Sequence, residues 1–126
     1  MKGIGSDLID IRRIDKTIAR FGDRFKKRIF TDNEIKECEK RKQSVSCYAK
    51  RFAAKEAAAK ALGTGFRKGV YWRDLEIVNE PSGKPTLEFH GKSKLHLLNL
   101  VLDNDYTINL SITDEFPYAQ AIVTIN

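Results

Sequence analysis

Two carboxylates in this chain occupy positions that suit apolar side chains. Asp7 falls in residues 2–11, which alternate as a strand does, and shares a face with Gly3, Gly5, Ile9 and Ile11. Glu56 recurs with Phe52, Ala59 and Gly63 at helical spacing, so it projects from a stripe of apolar and small residues. An ionised acid buried without a partner is costly; it shifts its pKa, pairs with a cation or binds a metal. Two accounts stand at this level. Converging carboxylates could hold a hard divalent cation, since magnesium takes one or two carboxylates and keeps waters and substrate phosphates as its other ligands. Alternatively, Asp7 pairs with one of the arginines and Glu56 with Lys60, one helical turn on. Just beyond lies Gly63-Thr64-Gly65, with Arg67 and Lys68 close by, supplying backbone donors and positive charge suited to phosphate. That turn sits at a helix C-terminus, where the dipole repels anions and glycine is commonly a cap.

The elements that must position these groups follow from pattern. After the strand, residues 12–20 are helical in pattern, Gly22 interrupts, and a short helical segment continues to Arg28. Thr31 opens a helix with Glu34 three residues on, the signature of a capping box, and that helix is expected to run to Lys42. A polar QSVS loop leads into a long alanine-rich helix over residues 47–62, ended by Gly63. Strands are expected at 75–78 and 86–89, joined through PSGKP, followed by a helix over 91–102. Tyr106, Ile108, Leu110 and Ile112 alternate with polar partners, and a last strand spans 119–125, with residues 114–117 closing a second hairpin. Strand, helices, hairpin, helix, hairpin with no repeat or linker describes one compact α+β domain over residues 1–126.

The chain carries a net charge of +6, and residues 11–28 alone account for it, with eight basic residues against Asp15 and Asp23. Such a concentrated field favours an acidic partner, whether nucleic acid, an anionic membrane or an acidic protein; a solvated basic helix face is the plainer alternative. Phe89 and Tyr106 on strands would suit an RNA-binding module, but no aromatic RNP-like motif is present and the charge lies on helices. With neither a signal-peptide pattern nor an apolar run of membrane-spanning length, a soluble, cytoplasmic protein is expected. Cys38 and Cys47 fit no metal spacing or disulfide framework and are expected to be reduced thiols. His90 and His96 read as structural.

Taken together, IGSDLIDIRRI at 4–14, FKKRIFT at 25–31, RFAAKEAAAKALGTG at 51–65 and W-x-D-L-E-I with the following GKP at 72–85 resemble the holo-acyl-carrier-protein synthases, a family of 4'-phosphopantetheinyl transferases. The resemblance spans nearly the whole chain. It implies the family's fold, an antiparallel sheet packed on a long central helix. It also implies the family's reaction, in which the 4'-phosphopantetheine arm of coenzyme A passes to a serine of apo acyl carrier protein in support of fatty acid biosynthesis, releasing adenosine 3',5'-bisphosphate. On that resemblance Asp7 and Glu56 are the magnesium ligands, and with Lys60 the catalytic residues. Lys60, Gly63, Thr64, Gly65, Pro85 and Asn109 are expected to contact the coenzyme, and Arg13, Arg20, Arg24 and Arg28 to dock the acidic carrier protein, with no nucleic acid or membrane partner. The family is trimeric, with sites between subunits. The chain departs from it at Asn109 and Asp114, where many members have histidine, and so lacks a positive charge there.

Overall fold

The computed structural model describes residues 1–126 and is organised by its longest helix. Elements run β1 (Gly3–Asp10), α1 (Ile11–Phe21), α2 (Asp23–Ile29), α3 (Asp32–Glu39), α4 (Ser44–Leu62), β2 (Leu75–Asn79), β3 (Pro85–Phe89), α5 (Gly91–Val101), β4 (Ile108–Glu115) and β5 (Tyr118–Ile125). Alanine has the highest helix propensity and the smallest side chain with a Cβ. Ala49, Ala53, Ala54, Ala57, Ala58, Ala59 and Ala61 therefore let α4 be surrounded closely and buried on nearly every side. One face carries an antiparallel sheet in the order β1-β5-β4, while β2 and β3 form a separate antiparallel hairpin.

The closest approach is between β1 and α4. A Cβ placed on Gly5 would collide with the Ala57 carbonyl oxygen and stand 2.7 Å from the Ala61 nitrogen; one on Gly3 would collide with the Ala61 carbonyl. Ile9 on the same face is buried, whereas Ile4 and Leu8 face away from α4 and are 59% and 63% exposed. Pairing sets Asp7 opposite Ala121 on β5, and Ala121 opposite Ile112 on β4.

The capping box at Thr31 forms as expected: Glu34 N–H donates to Thr31 Oγ1 at 3.2 Å and Thr31 N–H to Glu34 Oε1 at 2.9 Å. Glu34 also accepts from Ile77 N–H at 3.0 Å and pairs with Lys55 Nζ at 2.7 Å, both side chains fully buried. Lys55 Nζ donates further to the Trp72 and Leu75 carbonyls, so one ammonium ties α4 to α3 and β2. Burial pushes the Lys55 ammonium below its ordinary value, against the opposing charge of Glu34.

Several expectations are corrected. The first strand stops at Asp10, whose carboxylate caps α1 by accepting from Arg12 N–H at 2.9 Å, so Ile11 is helical. The third helix ends at Glu39 instead of Lys42, and Ser44–Ser46, read as loop, are the first turn of α4. Cys38 and Cys47 are not free thiols: they form a disulfide between α3 and α4. The break between those helices turns the chain back and brings both sulfurs into the core, which spacing along the chain does not reveal. No helix is long and apolar enough to cross a membrane.

Removing one partner of a buried pair strands the other charge, at a cost of about 3–5 kcal/mol. Lys55→Ala is expected to lose about that much in urea unfolding at neutral pH; a loss under about 1 kcal/mol would remove the pair from the account of the fold.

Candidate active site

Strand β1 delivers Asp7 and helix α4 delivers Glu56 and Lys60 to one place, because the two glycines of β1 admit the helix so closely. Lys60 Nζ bonds Asp7 Oδ1 at 3.1 Å and the Ser6 carbonyl at 2.9 Å. The carboxyls of Asp7 and Glu56 themselves adjoin. Burial first, then the charge of Asp7 and a hydrogen bond with it, push the Glu56 carboxyl above its ordinary value, while Lys60 and Arg13 pull the other way. Lys60 thus pairs with Asp7, where the sequence set it against Glu56, and two acids lie beside one cation. That donor set fits a hard divalent ion, which would relieve the remaining conflict. Gly63 follows as the left-handed C-cap of α4 at φ 80°, its N–H donating to the Lys60 carbonyl, and Gly65 at φ 59° completes the turn. Thr64 Oγ1 donates to the Gly65 carbonyl at 2.8 Å.

Phe52, one turn before Glu56, stacks on Trp72 at 4.7 Å between ring centroids, and Trp72 on Phe66 at 3.8 Å. Phe52 also meets Phe25 at 6.3 Å, which links this aromatic wall to a cleft lined by Thr17, Phe21, Arg24, Phe25 and Arg28. Of the four expected docking arginines, Arg24 and Arg28 therefore lie together, Arg13 lies within electrostatic reach of Glu56, and Arg20 sits over the Phe21 ring at 5.0 Å. They do not form one helical stripe across Gly22. Its φ of 55° separates α1, which carries Arg13 and Arg20, from α2, which carries Arg24 and Arg28.

Pro85 and Asn109 lie elsewhere. Asn109 is on β4 opposite Thr124, exposed on the sheet face turned away from α4. Pro85 lines a second cleft with Arg41, Lys50, Arg51 and Asn79. Arg51 was not singled out in the sequence. It is only 4% exposed and has no carboxylate partner: Nη1 donates to Cys47 Sγ at 3.1 Å, Nη2 to Asn79 Oδ1 at 3.4 Å, and Nε is buried with no partner. A basic residue inside an alanine-rich buried helix was the available signal. A three-residue cluster of potential metal ligands also lies apart from Asp7 and Glu56. It comprises Glu76, Glu88 and His90 on the β2-β3 hairpin, where Glu76 is already held by Thr31 and by His90 at 3.1 Å.

The profile of the 4'-phosphopantetheinyl transferase superfamily matches residues 3–116. A holo-[acyl-carrier-protein] synthase of Brucella ovis is 56% identical over 124 residues, covering 98% of this chain and 92% of that protein. The crystal structure of a holo-[acyl-carrier-protein] synthase from Neisseria meningitidis superposes with a TM-score of 0.86 at 36% identity, over 100% of this chain and 98% of that one. That of the Helicobacter pylori synthase in complex with coenzyme A gives a TM-score of 0.82 at 31% identity, over 98% and 99% of the two chains.

A carboxyl raised in the folded state holds its proton more tightly there than in the unfolded chain. Its contribution to stability is complete at low pH and is lost as pH rises through the raised value. Titration of the Glu56 side-chain carbon by NMR is expected to give a midpoint above that of exposed glutamates, and Asp7→Asn to bring it down. An unmoved midpoint in Asp7→Asn would show that the two carboxyls do not interact.

Proposed function

The chain belongs to the 4'-phosphopantetheinyl transferase superfamily, and from that premise we propose that Asp7, Glu56 and Lys60 form its catalytic centre. The protein is a transferase that passes the 4'-phosphopantetheine arm of coenzyme A to a serine of apo acyl carrier protein, leaving adenosine 3',5'-bisphosphate. The observation that carries the assignment is the junction of two carboxyls and one ammonium at the β1-α4 contact.

The serine oxygen attacks the phosphorus that bears the pantetheine arm, and the bond from that phosphorus to the bridging oxygen of the nucleotide breaks. Lys60 supplies a fixed positive charge beside the phosphates, and the Gly63-Thr64-Gly65 turn lets backbone approach them. Asp7 and Glu56 would hold magnesium, which supplies neutralisation of the charge that develops on the phosphates. The Glu56 carboxylate, whose proton a bound cation would displace, accepts the serine proton. Arg51 supports a second anchoring point: a buried guanidinium with no acidic partner, lining a cleft with Pro85 and Lys50, suits a phosphate of the nucleotide. Arg13, Arg20, Arg24 and Arg28 receive the acidic carrier protein, the last two at the cleft they line with Phe21 and Phe25.

The working form is a homotrimer in the cytoplasm serving fatty acid biosynthesis. In support of assembly, Ile4 and Leu8 on the outer face of the sheet are joined by Ile122, 41% exposed. Asn109 lies on that face as well, so any contact from it to a coenzyme at Glu56 comes from a neighbouring subunit.

Incubation with apo carrier protein, coenzyme A and magnesium is expected to add the mass of the arm to the carrier. Asp7→Ala or Glu56→Ala should lower turnover by roughly 100-fold or more without unfolding the protein; unchanged turnover would dismiss the shared centre. Reversing Arg13 and Arg28 to glutamate is expected to raise the KM for carrier protein about tenfold and spare that for coenzyme A. An equal rise in both would remove the docking assignment. Leu8→Glu is expected to shift the mass in light scattering to that of one chain, and a retained trimer would exclude this face as the interface.

A further inference from the structure

The disulfide and the unpaired arginine are neighbours. Cys47 Sγ, one half of the bridge to Cys38, is the acceptor for Arg51 Nη1 at 3.1 Å. A disulfide sulfur is neutral and a weak acceptor, so in this form Arg51 has no carboxylate at ion-pair distance, with Nε orphaned and only the Asn79 carbonyl besides, while Glu34 and Glu37 act on it from farther away. Arg41 and Lys50 line the same cleft, each facing a carboxylate: Arg41 bonds Glu37 at 3.1 Å, and Lys50 stands 3.8 Å from Asp114, which also lines it. Arg41 belongs to the short connection that the disulfide closes between α3 and α4, where residues 40–43 are exposed although both sulfurs are buried.

We propose that Cys38 and Cys47 are a thiol–disulfide switch acting on Arg51: oxidised, they leave the guanidinium free for an anion in the cleft; reduced, the Cys47 thiolate pairs with it and masks it. This rests on reading the cleft as the site of a nucleotide phosphate. The reductant is a low-molecular-weight thiol. Two such thiols give up two electrons and their protons, the Cys38–Cys47 bond breaks to two thiols, and one small-molecule disulfide leaves. Cys47 then releases its proton to solvent, because a guanidinium at hydrogen-bond distance favours the thiolate. The local charge at Arg51 falls from +1 to neutral by formation of that pair. Entry of the reductant is through the exposed connection at 40–43, whose opening uncovers the sulfurs. Reduction also frees that connection, and Arg41 with it, from its tie to α4.

Coupling of this kind is reciprocal: if coenzyme A binds the oxidised form better, then coenzyme A must make the disulfide harder to reduce by the same factor. The wild-type protein is equilibrated in glutathione buffers of graded ratio, with and without saturating coenzyme A, and the dithiol fraction is read by alkylation and mass. The expected result is a shift of about tenfold in the equilibrium constant, or ~30 mV for two electrons, towards the disulfide when coenzyme A is present. A midpoint that coenzyme A leaves unchanged, or the absence of a disulfide at every ratio, would overturn the switch. Arg51→Gln, with Arg51→Lys as the milder variant, separates this from the reading beneath it. A raised KM for coenzyme A in these variants, beside an unmoved wild-type midpoint, sinks the switch alone; an unchanged KM sinks the phosphate site and the switch together.

Discussion

The contact between β1 and α4 is the constraint on which the rest depends. Gly3 and Gly5 face the helix where even one methyl group would strike the Ala61 and Ala57 carbonyls. Close packing of this kind is specified by what is missing, and both partners comply: the strand omits Cβ atoms and the helix offers alanines. The site is a consequence. Asp7, two residues after Gly5, reaches the helix surface one turn from Lys60 and beside Glu56, so the carboxyl pair exists only because the backbones lie this near. The same closeness partly buries Glu56 and raises its pKa.

Three of the four cations of helix α4 meet three different fates, decided by what each touches. Lys55 points into the core against Glu34 and two carbonyls, and is fully satisfied; it holds the fold. Lys60 emerges at the sheet edge against Asp7 and remains exposed, so it stays available to a substrate while orienting a carboxylate. Arg51 is buried at the wall of a cleft with no carboxylate at ion-pair distance and its Nε unpartnered, so it is the least completed of the three. Burial of charge is tolerated only with compensation, so the unfinished case is the one that points outside the chain.

Local features were legible in the sequence for local reasons. The capping box, the glycine end of α4 and both hairpins are encoded within a few residues, and each forms where expected. The carboxyl pair announced itself as two acids on apolar faces, and resemblance joined them before geometry did. What escaped depends on contacts between distant residues. The Lys55-Glu34 pair spans two helices, the disulfide follows from the turn after Glu39, and Arg51 looked like one more basic residue of a helix until its environment was known. Asn109 lies on the far face of the sheet from Glu56, because alternation assigns it to the side that α4 does not cover.

The account turns on Glu56 holding a proton that a divalent ion displaces. Calorimetric titration of magnesium in the presence of coenzyme A, repeated in buffers of different ionisation enthalpy at a pH where Glu56 is part-protonated, tests this directly. The expected result is a heat that depends on the buffer, reporting proton release, and that loses this dependence in Glu56→Gln. Magnesium uptake with a buffer-independent heat that Glu56→Gln leaves unchanged, or no uptake at all, would contradict it.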